Sequence, residues 1–206
     1  MVIFVLVLFV PFSAALANSM PGHWMSGKSG GSVFVLSGEN LAVEHETLSF
    51  DIPQSSGMLD VANVSAQYHI QNEGEARTVT MLFPILFSIE DVGVMAEGMN
   101  VLVDSQPVPF SFAVLDTISG DYTNDDADIE ALRESCSIEN ILAQMREKGI
   151  TAGQFTPSEF LDKYNELYDM DYSSKLLLVM NDVSFEAGQA RDVRVQYVQR
   201  ATPLQR

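Results

Sequence analysis

Asn63-Val64-Ser65-Ala66-Gln67-Tyr68-His69-Ile70-Gln71-Asn72 is the stretch on which the fold reading turns. Val64, Ala66, Tyr68 and Ile70 alternate with Ser65, Gln67, His69 and Gln71. Successive side chains of an extended chain point to opposite faces, so a period of two describes a strand that is dry on one face and wet on the other. Asn72-Glu73-Gly74-Glu75 has the composition of a turn, and Arg77-Thr78-Val79-Thr80-Met81-Leu82-Phe83 returns as a second strand, which predicts an antiparallel hairpin. Pro84 has no amide hydrogen to donate to a ladder, so a central strand is expected to stop there.

Working outward, Val33 to Leu36 is a short apolar run, and Leu48, Phe50 and Ile52 alternate with Ser49 and Asp51 before Pro53. Downstream, Asn100 to Val103 and Val108 to Leu115 flank Asp104-Ser105-Gln106-Pro107 and read as another pair of strands. Leu176 to Phe185 and Asp192 to Val198 flank Glu186-Ala187-Gly188-Gln189 as a final hairpin. Between Asp116 and Tyr172 the period changes. Ile129, Leu132, Cys136, Ile138, Ile141, Leu142 and Met145 recur at helical steps, with Asp125 and Asp126 near the start and Lys148-Gly149 at the end. Thr156-Pro157-Ser158-Glu159 is a capping box with proline at the first helical position, followed by the apolar face of Phe160, Leu161, Tyr164, Leu167 and Tyr168. Strands, two helices within residues 121–172 and strands again, without regular βαβ alternation, predict a mainly β fold, an antiparallel β-sandwich with a two-helix insertion over residues 33–206. The chain ends at Arg206 just after a strand, so the reading frame is expected to continue.

Met1 to Phe12 is apolar, and Ser13-Ala14-Ala15-Leu16-Ala17 places alanine at both −3 and −1 of a cut after Ala17. That is the pattern of a secretory signal peptide over residues 1–17, although no Lys or Arg precedes the apolar run and Pro11 interrupts it. The run is shorter than the roughly 20 residues of a membrane span, which disfavours a retained anchor. Residues 18–32, rich in Ser, Gly and Met, read as an extended lead-in. The expected location is therefore secreted or cell surface.

Hydrophobic residues make up 47% and charged residues 19% of the 206, which separates the chain from disordered sequences. Its 28 acidic against 11 basic residues give a formal charge of −17, which repels phosphate backbones and argues against nucleic acid as a partner. The single cysteine, Cys136, allows no internal disulfide, so stability rests on core packing.

Tyr68-His69-Ile70-Gln71-Asn72, the later Thr78-Val79-Thr80-Met81-Leu82-Phe83-Pro84, the Asp104-Ser105-Gln106-Pro107-Val108 turn and Met20-Pro21-Gly22-His23-Trp24 together resemble a group of uncharacterised secreted or cell-surface proteins of Gram-positive bacteria. The resemblance covers residues 20–115 and the final strands, and it implies an immunoglobulin-like sandwich and an extracytoplasmic location. It implies no activity and no functional residue.

Several motifs hint at chemistry. Gly22-His23-Trp24-Met25-Ser26-Gly27-Lys28-Ser29 matches the phosphate-binding loop letter for letter, but that loop needs a strand before it and a helix after it, and Gly30-Gly31-Ser32 starts a helix poorly. Asp121, Asp125, Asp126, Asp128 and Glu130 are a candidate for weak calcium binding, yet from Asp121 the sixth position is Asp126 and the twelfth Leu132, so the EF-hand register fails. Of His23, His45 and His69, His45 lies in Glu44-His45-Glu46, where strict alternation keeps adjacent residues from converging on one metal, and His69 lies on a polar face. No catalytic, cofactor-binding or metal-binding residue is expected. The sequence thus points to a non-catalytic extracytoplasmic module that binds a protein, a glycan or cell-wall material. The alternative is a secreted hydrolase using acidic residues near the helical insertion.

Overall fold

A computed structural model describes residues 34–35, 40–51, 61–88, 92–116, 137–165 and 174–200. The leader, the lead-in with its Lys28 loop, His23, the acidic run 121–130 and Cys136 lie outside these residues. The described chain runs β1 (Phe34–Val35), β2 (Leu41–Asp51), β3 (Val61–Asn72), β4 (Arg77–Ser88), α1 (Val92–Glu97), β5 (Asn100–Val103), β6 (Gln106–Pro107), β7 (Ser111–Asp116), α2 (Ile138–Glu147), α3 (Pro157–Asn165), β8 (Ser174–Phe185) and β9 (Ala190–Arg200). The protein is mainly β. All strand pairings are antiparallel, in a four-stranded sheet of order β1-β4-β8-β7 and a five-stranded sheet of order β2-β3-β9-β5-β6.

The alternation in β3 behaves as expected: Val64, Ala66, Tyr68 and Ile70 are each 1% exposed. They join Val193, Val195 and Tyr197 of β9 and face Val79, Met81, Phe83, Ile85 and Phe87 of β4 in one apolar core. Phe83 bridges the sheets, with its ring 6.2 Å from Tyr68 and 6.1 Å from Tyr197, both edge-on. The other face of the four-stranded sheet is dry where α2 covers it and polar at its Thr78, Thr80, Asp182 and Ser184 end. Leu82 of β4, Ala113 and Leu115 of β7, and Leu176, Leu178 and Met180 of β8 pack against Ile141 and Met145 of α2 and against Ile150.

The expected hairpins are a correction. β3 does not pair with β4, nor β8 with β9; each turn carries the chain from one sheet to the other. Likewise Asn100–Val103 pairs not with β7 but with the short β6, through Asp104 and Ser105 at φ 49 and 66, after which β7 joins the opposite sheet. Alternation states only that a strand has one dry face. That face is satisfied equally by a partner stacked across the core, so the pattern cannot distinguish a hairpin from an arch.

Pro84 is a second correction, because β4 runs through it and pairs it with Leu178. The last β1 pairing is Phe34 with Leu82, so at Pro84 the β1 side of the strand is an edge among the described residues, where proline is tolerated.

The two helices are part of the core rather than an appendage. Phe160 and Tyr164 of α3 stack on Phe87, and Phe160 lies 4.7 Å from the Phe112 ring. The capping box forms as read: Thr156 N donates to Glu159 Oε2 at 2.8 Å, and Glu159 N donates to Thr156 Oγ1 at 3.4 Å. The Thr156 amide first, and then the Thr156 hydroxyl that donates to the same Oε2 at 2.8 Å, hold the Glu159 carboxyl below its ordinary range. The start of α2 is corrected to Ile138. Ser137 is extended there and accepts from Asn140 N, in place of Asp125 and Asp126. The end is as read, with Gly149 at φ 65 and Ile150 N donating to Met145 O at 2.8 Å.

Candidate functional site

The outward residues of β2, β3 and β9 form the wet face of the five-stranded sheet. In register, Thr47 lies beside Gln67 and Arg194, and Ser49 beside Ser65 and Gln196. None of these side chains enters either apolar cluster. They bond across strands: Arg194 Nη2 donates to Gln67 Oε1 at 2.8 Å, Ser49 Oγ donates to the Ser65 carbonyl at 3.3 Å, and Gln71 Nε2 donates to the Gly188 carbonyl at 2.9 Å. The face is thus a pleated row of amides, hydroxyls and one guanidinium, with donor and acceptor capacity left over on most groups.

His45 and His69 sit at one end of this face, directly opposite each other. His69 Nδ1 is 2.8 Å from Asp192 Oδ1, and its Nε2 is 3.7 Å from Glu44 Oε2. The bond to Asp192 pushes the His69 pKa up, desolvation opposes it, and the fields of Asp192 and then Glu44 add to the rise. The irregularity that places His45 here beside Glu44 escaped the sequence reading: the ladder slips between Val43 and His45, so Glu44 and His45 both lie opposite His69. Strict alternation therefore fails at Glu44-His45-Glu46.

On the inner side, Glu46 lies opposite Tyr68. Burial pushes its carboxyl pKa up, and the Tyr68 hydroxyl partly offsets that rise. Glu46 Oε1 is buried without a hydrogen-bond partner among the described residues.

At the far end of the core, Asn72 has no exposed surface. Its Nδ2 donates to the carbonyls of Glu75 and Glu186, both at 2.9 Å, and its Oδ1 accepts from Gly74 N at 3.1 Å. One side chain thereby ties the β3–β4 arch to the β8–β9 arch. Its position after Tyr68 and Ile70 was legible; its role was not, because the partner that links the two arches, the Glu186 carbonyl, is 114 residues away.

Two described carboxylates near the helices, Asp116 and Glu159, have structural partners. Asp116 meets Lys148 Nζ at 2.6 Å and Lys175 Nζ at 3.5 Å, and the Lys148 bond chiefly lowers its pKa. Glu159 closes the capping box. The five acidic residues of 121–130 lie outside the described residues, as does the glycine-lysine loop at residues 22–29. No described helix is long and apolar enough to cross a membrane. No family model, curated protein or solved structure matches the chain.

Proposed function

We propose that this chain is a non-catalytic extracytoplasmic module, an immunoglobulin-like sandwich that uses the wet face of its five-stranded sheet to hold a glycan or cell-wall polymer. The observation that carries this reading is the contrast in covering: α2 packs over Leu82, Leu115, Leu178 and Met180 on the outer face of the four-stranded sheet and leaves the Thr78, Thr80, Asp182 and Ser184 end open, while the five-stranded sheet keeps a pleated row of Thr47, Ser49, Ser65, Gln67, Arg194 and Gln196 outside both cores. Amides, hydroxyls and a guanidinium supply the mixed donors and acceptors that a hydroxyl-rich ligand needs. The apolar run and Ala15–Ala17 junction of the leader support export. The formal charge of −17 suits a partner that is neutral or cationic rather than a phosphate polymer.

The test is a sedimentation assay of the full chain with purified cell walls and with neutral polysaccharides. Retention that falls at least tenfold in Gln67→Ala/Arg194→Ala, but not in Glu139→Ala on α2, is the expected outcome. Retention only by a protein fraction would shift the partner class, and turnover of the polymer would replace the reading with the hydrolase alternative.

A further inference from the structure

The slip in the β2–β3 ladder adds His45 to three groups of metal-ligand type, Glu44, His69 and Asp192, that a regular ladder would also have put together. Without it, Glu44 would be the residue opposite His69, and His45 would share the inner side with Tyr68. With it, His45 stands opposite His69 and Glu44 stays within 3.7 Å of His69 Nε2. We propose that this corner of the wet face is a site for an imidazole-preferring divalent cation such as Zn²⁺, ligated by His69 Nε2 and Glu44 and completed by His45.

Three features support it. Asp192 Oδ1 accepts at Nδ1 of His69 at 2.8 Å, the carboxylate–imidazole arrangement that fixes the tautomer and leaves Nε2 with its lone pair outward. That lone pair then faces the Glu44 carboxylate oxygen across 3.7 Å. A cation between them, either a proton on the ring or a metal, is stabilised by both acceptors at once. The separation also suits a metal: ligands at about 2.0–2.2 Å from a tetrahedral zinc lie roughly 3.3–3.5 Å apart, so closing the pair takes a shift of a few tenths of an ångström.

Among the described residues no three His, Cys, Asp or Glu side chains already converge on one point, and the site is completed by a movement. His45 Nε2 lies 3.1 Å from Thr47 Oγ1 along its own strand. Its side chain is exposed and free to exchange rotamers rapidly, and residues directly opposite across a ladder have Cβ atoms about 5 Å apart, within reach of one ion. Asp192 acts as a positioning residue, holding the ring without touching the ion.

The experiment is a Zn²⁺ titration of the full chain by calorimetry, with the imidazole resonances followed by NMR. One equivalent that moves the ring signals of both His45 and His69 is the expected result. His69→Ala and His45→Ala each weaken it at least tenfold, Asp192→Asn weakens it about 10–100-fold through the lost orientation, and Asp182→Asn on the other sheet leaves it unchanged. All four side chains at the corner are exposed or half-buried, so the variants retain the fold. Zn²⁺ affinity that survives His69→Ala, binding that leaves both imidazoles unmoved, or no saturable binding overturns the proposal and leaves the proton as the cation between His69 and Glu44. The result is independent of whether the wet face binds a polymer.

Discussion

Over Leu82 to Phe87 of β4 and Leu176 to Met180 of β8 the four-stranded sheet carries apolar side chains on both faces, whereas β3 and β9 of the five-stranded sheet carry them on one. The pairing is antiparallel in both, yet the sequences look different: Leu176-Leu177-Leu178-Val179-Met180 is an unbroken apolar run, and Val64 to Gln71 alternates at every step. The period of a strand therefore reports how many of its faces are dry, not which neighbour it pairs with. The difference also divides labour. The four-stranded sheet, covered over its Leu176 to Met180 half by Ile141 and Met145 of α2, anchors the molecule, and the five-stranded sheet leaves a polar face open along its length.

The sharpest way to break this contrast is to thin the sealed side. Leu178 is fully buried under α2, and Leu178→Ala is expected to cost about 2–5 kcal/mol of unfolding free energy in a denaturant titration, from lost transfer energy plus the cavity left behind. A loss under about 1 kcal/mol would mean that α2 does not seal this face. Next in size is Asn72→Ala, expected to cost about 2–3 kcal/mol because two carbonyls and one amide lose their partner. The two arches should then exchange amide hydrogens faster than the middle of β3, and uniform protection would contradict the clamp.

Glu46 makes a smaller test with a definite sign. Its folded pKa lies above the ordinary value of 4.5, so the folded chain holds the proton more tightly than the unfolded one. Stability contributed by the protonated group is complete below pH 4.5 and is lost as pH rises through the raised folded value, staying flat above it. Glu46→Gln is expected to gain up to about 1 kcal/mol at neutral pH, with the advantage vanishing in acid. An advantage that persisted at low pH would show that burial of the charge is not its cause. The smallest effect belongs to the open face: Gln196→Ala is expected to change stability by no more than about 0.5 kcal/mol. A larger loss there would show that the face is sealed in the folded chain.

Much of this was legible in the residues. The dry side of β3, the capping box at Thr156 and the glycine stop at Gly149 follow from local chemistry, and they stand where the sequence puts them. What stayed hidden is what depends on distant chain. The turn after Asn72 has hairpin composition, but whether its strands pair or stack is decided by β8 and β9. Pro84 looks like a stop because its neighbour β1 is too short to need the missing amide, a fact not written near it. The corner of Glu44, His45 and His69 was dismissed on strict alternation, and a one-residue slip undid that premise. Asp192, the fourth member, is 123 residues from His69.

That last distance has a temporal consequence. β8 and β9 are interior strands of the two sheets, and each lies beside a partner made far earlier: Thr80 bonds Asp182 across 102 residues, and His69 meets Asp192 across 123. At a synthesis rate of about 5–20 residues per second, β3 and β4 wait roughly 5–20 s for these neighbours to be made. During that interval the shared core lacks Leu177, Val179, Val193, Val195 and Tyr197, so the apolar sides of β3 and β4 are only partly covered, and the nascent chain is exposed to chaperones and proteases. A version stopped before Ser174 is consequently expected to be digested rapidly rather than to persist as half a molecule.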